Sequence, residues 1–199
     1  EPLRLHIPEP KFRPGDDADF SDIVVPDVDA LPRPDENSAP NTMQNLAYGL
    51  IRVLDNNGDA KGSWDPKLDA DTLRLMLRNM MLTRAFDDRM FRAQRQGKTS
   101  FYMKCTGEEA TSVATAMALT SDDMCFPSYR QQGILITRGY PLVQMMNQIY
   151  SNRADHLKGR QLPIMYSAPS HSFFSISGNL ATQYPQAVGW AMASASRGD

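Results

Sequence analysis

Cysteine is scarce here: Cys105 and Cys125 are the only two in 199 residues, and no metal-type spacing joins them. They read as free thiols in a reducing, cytoplasmic setting, a single disulfide between them being the alternative. Histidine is equally sparse, with His6, His156 and His171 scattered through polar surroundings. No Gly-x-Ser-x-Gly elbow is present to supply a nucleophile, which excludes a serine-type triad. Gly-x-Gly-x-x-Gly and P-loop spacings are missing, as are internal repeats. No apolar run approaches the roughly 20 residues of a membrane span. The N-terminus has neither the basic start and apolar centre of a signal peptide nor the acid-poor composition of a transit peptide. Charge of one sign is lacking too: the formal net charge is −2. That balance predicts no nucleic-acid or membrane partner. The chain does not begin with methionine and stops just after an expected helix, so both ends are consistent with cuts.

Proline, by contrast, is concentrated at the start. Eight prolines fall between Pro2 and Pro40, denying residues 1–45 regular hydrogen bonding, while Asp16, Asp17 and Asp19 keep the segment solvated. Leu5, Ile7, Phe12, Phe20, Ile23, Val24 and Val25 are anchors for an extended arm wrapped over a partner or the body, a disordered tail being the alternative. Residues 46–199 then form an α/β domain. Within it, residues 48–64 read as a hairpin turning at Asn56-Asn57-Gly58-Asp59. The Asp55, Asn57, Asp59 spacing is not a calcium loop, because Gly58 is misplaced and Pro66 stands where the bidentate glutamate belongs.

Helical spacing of Leu73, Leu77, Met80, Met81, Phe86, Met90 and Phe91 predicts a long helix from about 69 to 96, apolar side inward and arginines outward, ended by Gly97. Thr106 and Glu109 have the spacing of a capping box ahead of a small-residue helix. A short strand is expected at 124–126 and a further helix after Pro141. Strand candidates alternating with helices of ordinary length point to a parallel sheet.

Two stretches could carry chemistry. In Cys125-Phe-Pro-Ser-Tyr-Arg130 an apolar run stops at Pro127 and releases Ser128, Tyr129 and Arg130 where a helix begins. That is the carboxyl edge of an α/β sheet, where ligands bind. A guanidinium and a phenol there suit phosphate oxygens; the plainer alternative is a surface arginine beside a capping serine. The second stretch, Ser175 to Pro185, holds four neutral oxygen donors: Ser177, Asn179, Thr182 and Gln183. They suit a weakly charged cation such as potassium, or simply cap the following helix. Gly178 lets the backbone approach a ligand closely.

Taken together, SFYMKCTGEEA, MCFPSYRQQGILITRG, LKGRQLPIMYS and SISGNLATQYPQAVGWAMASA resemble the α subunit of the decarboxylating component of branched-chain 2-oxo acid dehydrogenase complexes, the bacterial 2-oxoisovalerate type above all. The resemblance covers the chain from Leu46 onward, including YGLIRVLDNNGDAKGSW, and the arm more loosely. It implies the doubly wound parallel sheet of the thiamine diphosphate-binding fold, incomplete here. It assigns Tyr129 and Arg130 to the diphosphate of thiamine diphosphate, Gly178 and Leu180 to backbone contacts with that cofactor, and Ser177, Asn179, Thr182 and Gln183 to a potassium ion. Asn179 replaces a proline common in the family, a tolerable change because the backbone carbonyl makes that contact.

The resemblance further implies a heterotetramer with a β subunit that supplies the activating glutamate, a lipoyl-bearing acyltransferase as acceptor, and oxidative decarboxylation of a small 2-oxo acid. Glu108, where pyruvate-type relatives carry glutamine, leans toward branched-chain acids; a pyruvate or acetoin dehydrogenase α subunit is the rival within the family. A truncated, non-catalytic chain retaining only subunit contacts is the rival outside it. Met165 stands where many relatives have histidine, so no proton-transfer role falls there. The family's magnesium-binding Gly-Asp-Gly is expected just beyond Asp199; Gly15-Asp16 and Gly58-Asp59 do not replace it. By itself, this stretch is expected to bind the cofactor weakly, to be inactive, and to be poorly soluble.

Overall fold

The computed structural model describes Glu9, residues 13–17, 19–21 and 23–199. The expected anchors Leu5, Ile7 and Phe12 lie outside the described residues, and Phe20, Ile23, Val24 and Val25 are exposed. The chain divides into two units, Glu1–Lys67 and Leu68–Asp199.

In the first unit the proline-rich segment is stitched to the residues that follow it. The Asp29 carboxylate accepts from Ser63 N at 2.8 Å and from Ser63 Oγ at 2.7 Å. Trp64 Nε1 donates to the Leu31 carbonyl at 2.6 Å, and Arg52 Nη1 to that of Pro26 at 3.2 Å. Gly62, at φ +87°, makes this approach feasible: a Cβ there would fall 2.5 Å from the Asp29 carboxylate. The 48–64 segment turns through a single antiparallel bridge, Leu54 to Ala60. Inside that turn the Asp55 carboxylate accepts from the backbone of Asn57 and Asp59 and pairs with Lys61.

The second unit is built from five helices: α1 (Ala70–Arg95), α2 (Glu109–Ala118), α3 (Gln132–Thr137), α4 (Leu142–Ile149) and α5 (Gln183–Arg197). Asp69 caps α1 by accepting from the N–H groups of Asp71 and Thr72, which satisfies donors that a helix start leaves orphaned. The face that α1 buries is only partly the one expected: Phe86 and Met90 are buried as expected, but the rest of the stripe differs. Asn79, Thr83, Phe86, Asp87, Met90 and Ala93 point inward, whereas Leu77 and Met81 are 55% and 64% exposed. The inward stripe runs at the same helical spacing but begins with polar residues, because Thr83 and Asp87 have bonding partners inside.

Against this stripe pack α2 and α3, drawn together at Gly133, where a Cβ would meet Ser112 Cβ at 2.9 Å. The core continues through Leu135, Met145, Ile149, Ile164, Tyr166 and Phe173, all almost fully buried.

The expected parallel sheet is not formed among the described residues. The 124–126 strand is reduced to one parallel bridge, Cys125 to Phe173, closed by Cys125 N to Ser172 O at 2.8 Å and Phe174 N to Cys125 O at 2.9 Å. The physical stop is Pro127, which has no N–H to extend the ladder. The capping box also differs: α2 starts at Glu109, not after Thr106, and the Glu109 side chain reaches back to Gly107 N at 2.8 Å. Both cysteines are buried free thiols.

Candidate functional site

Pro127 releases the chain into Ser128, Tyr129 and Arg130, all half-buried. No side chain caps α3; Gln131 Oε1 instead accepts from Ser128 N at 2.7 Å, ahead of the helix. The Tyr129 ring packs against the core, and the Arg130 guanidinium carbon lies 5.5 Å from its centroid. Arg130 Nη1 donates to the Lys104 carbonyl at 2.6 Å, and its Nε is 4.0 Å from Glu108 Oε1. The Arg130 side chain remains 39% exposed. It is thus a cation whose head is held at one Nη by a backbone carbonyl, with hydrogen-bonding capacity to spare, since guanidinium carries five donors.

The second predicted stretch folds into a turn before α5. Ser177 Oγ accepts from Asn179 N at 3.3 Å, and Thr182 Oγ1 donates to the Asn179 carbonyl at 2.9 Å. No side chain caps α5, so these oxygens are gathered on one another rather than spent on helix donors. Neutral hydroxyl and carbonyl oxygens in so small a turn fit a monovalent cation better than a divalent one. Gly178, Asn179 and Leu180 lie on the surface, Leu180 at 75% exposure. The only neighbour that a Gly178 Cβ would meet within contact range is Met165 Cε, at 3.4 Å.

The two stretches meet. A cavity of about 310 Å³ is lined by Phe126, Ser128 and Gln131 from the first and by Gln183, Tyr184 and Ala187 from the second. The structure therefore brings Gln183 beside the segment that carries Tyr129 and Arg130. The side chains of those two residues do not line that cavity.

Behind Arg130 lies a group that sequence reasoning passed over. Asp87 of α1 is fully buried. Its Oδ1 accepts from Tyr102 Oη at 2.6 Å and Gln132 Nε2 at 2.8 Å, and its Oδ2 from Cys105 N at 2.7 Å. Burial pushes the Tyr102 phenol and the Cys105 thiol well above their ordinary values, so both stay protonated and neither offers a nucleophile. At the other end of the segment, the Arg84 guanidinium holds the Glu109 carboxyl down at about 2. Glu109 is therefore a fixed carboxylate, not a proton donor. Among the described residues, no three His, Cys, Asp or Glu side chains are grouped to hold a metal ion, and no helix is long and apolar enough to cross a membrane.

Residues 77–199 match the family model described as dehydrogenase E1 component, and residues 1–41 that of the 2-oxoisovalerate dehydrogenase E1 alpha subunit N terminal. The chain belongs to the dehydrogenase E1 component family, which is thiamine diphosphate-dependent. Within it, all 199 residues are 58% identical to the 2-oxoisovalerate dehydrogenase subunit alpha of Pseudomonas aeruginosa, covering 48% of that protein. The human mitochondrial 2-oxoisovalerate dehydrogenase subunit alpha is 39% identical over 93% of this chain and 39% of its own length. Subunit alpha 1 from Arabidopsis thaliana is 42% identical over 69% of this chain and 29% of its own. The chain thus spans about half, or less, of these relatives' length.

Proposed function

We propose that this chain supplies the diphosphate-holding and monovalent-cation parts of a thiamine diphosphate-dependent branched-chain 2-oxo acid dehydrogenase α subunit. The complete enzyme would oxidatively decarboxylate 2-oxoisovalerate-type acids and pass the acyl group to a lipoyl carrier. One observation carries the reading: Ser128, next to Tyr129 and Arg130, and Gln183, at the end of the 177–183 turn, are distant in sequence but line one cavity.

Arg130 suits a diphosphate because its fork offers parallel N–H donors to phosphate oxygens. Tyr129 would add a hydroxyl donor beside it, while Gly178 and Leu180 would contact the cofactor through backbone atoms. Ser177, Asn179, Thr182 and Gln183 would hold potassium and stiffen the turn. When bound, thiamine diphosphate supplies the nucleophile and the electron sink. This chain's own residues would bind and orient, and no proton transfer is assigned to any of the described ones. Among the described residues no three His, Cys, Asp or Glu side chains are grouped around a metal position; the family resemblance would put magnesium's ligands beyond residue 199. The Cys125–Phe173 bridge, parallel as in an α/β sheet, supports a doubly wound fold completed by further strands.

A β subunit completing a heterotetramer, an acyltransferase acceptor and a cytoplasmic setting belong to the same reading. Apolar walls separate substrates by only about 1–3 kcal/mol per methylene, so the substrate must be measured. Turnover of 3-methyl-2-oxobutanoate by the assembled enzyme with a lipoyl acceptor is expected to exceed turnover of pyruvate. The reverse order would reassign the chain to the pyruvate or acetoin type.

A further inference from the structure

Asp87 has no place in the reading above, yet its surroundings are unusual. It is fully buried on the inward face of α1, where a carboxylate is costly unless donors surround it. Three donors do, and they come from three separate places: the Tyr102 hydroxyl, the backbone N–H of Cys105 and the Gln132 amide. Two of them bear on Arg130. Cys105 follows Lys104, whose carbonyl accepts from Arg130 Nη1 at 2.6 Å. Gln132 opens α3 two residues after Arg130 and is almost fully buried. Asp87 therefore grips the segment that holds the arginine head and the helix that holds its backbone.

We infer that Asp87 is a positioning residue for the Arg130 anion site, acting through the 102–105 segment and Gln132. This rests on the proposed role of Arg130. An ionised carboxylate is an acceptor only and takes several donors on its two oxygens. Asparagine is nearly isosteric but has one oxygen and an NH2 group. In Asp87→Asn one of the two acceptor oxygens becomes a donor, so unless the Tyr102 hydroxyl and the Gln132 amide both reverse, one of the three donors faces another donor; the Lys104 carbonyl or the α3 start then shifts and Arg130 moves with it. Hydrogen-bonded supports behind a binding group typically matter by about 10–100-fold in affinity.

The test is a double-mutant cycle in the assembled α–β enzyme, titrated with thiamine diphosphate in excess magnesium. Arg130→Ala should weaken binding, and Asp87→Asn should weaken it about tenfold in the wild-type background. In the Arg130→Ala background Asp87→Asn should have little further effect, since its action passes through the arginine. A merely structural role would persist in both backgrounds, and that result overturns the inference. Unchanged binding by Asp87→Asn, with Arg130→Ala weakened, likewise overturns the inference and leaves the Arg130 assignment standing. Wild-type-like binding by Arg130→Ala, or no binding by the wild type, overturns both. Should Asp87→Asn lose its helical circular dichroism, Gln132→Met carries the same cycle, because it removes one Asp87 link while keeping the side chain's length. It is expected to weaken binding only when Arg130 is present, and equal weakening in both backgrounds overturns the inference.

Discussion

Arg84 and Glu109 illustrate how a single pair sets a local pH dependence. Glu109 is buried against a half-exposed guanidinium that keeps its carboxyl at about 2. A carboxyl depressed in the folded state contributes stability above its unfolded pKa, about 4.3 for glutamate, and loses it as pH falls toward the folded value. Acid should therefore loosen the α1–α2 contact between about pH 4 and pH 2. Helical circular dichroism followed by acid titration should show this loss in the wild type and a flatter profile in Glu109→Gln. Equal profiles would show that the pair carries no such linkage. The other residue of consequence, Asp87, was not legible in the sequence. Beside Asp88 and Arg89 it reads as part of a solvated charged face, and its side-chain partners Tyr102 and Gln132 lie 15 and 45 residues away. No local spacing announces them.

For the elements, what was legible depended on whether the cause was local. Helix α1 carries its own signals: a capping Asp69, apolar residues at helical spacing and a terminating Gly97 at φ +70°. Which side of it turns inward was legible only in part, since hydrophobic periodicity assumes that apolar residues face the core. Phe86 and Met90 do face it, but Asn79, Thr83 and Asp87 face it as well, while Leu73, Leu75 and Leu77 face outward. The consequence is measurable by urea denaturation. Leu135→Ala, in α3, deletes a fully buried side chain and should cost about 2–5 kcal/mol. Leu77→Ala, on the outer face of α1, should change stability by less than about 0.5 kcal/mol. A comparable loss in Leu77→Ala would mean that Leu77 is packed and not on an outer face. The strand at 124–126 failed for a reason visible in hindsight: Pro127, which marks the release of Tyr129 and Arg130, also denies the ladder its next N–H. The same residue made the candidate site legible and the sheet short.

At the scale of the whole molecule, α5 buries none of its residues, and Tyr184, Val188 and Met192 stand exposed along it. That leaves an apolar helix face uncovered by the described residues. Magnesium normally offsets the charge of a bound diphosphate, and the described residues offer no cluster to hold it. On the proposed reading, this chain would contribute one arginine and one cation-fitting turn, and the remaining ligands would come from elsewhere in the assembly. The most direct measurement of this account is calorimetric titration of thiamine diphosphate with magnesium into assembled wild-type and Arg130→Ala protein. A charge-assisted hydrogen bond is worth about 1.5–3 kcal/mol, so the substitution is predicted to weaken affinity by roughly 10–100-fold. Equal affinity in the two proteins would contradict it.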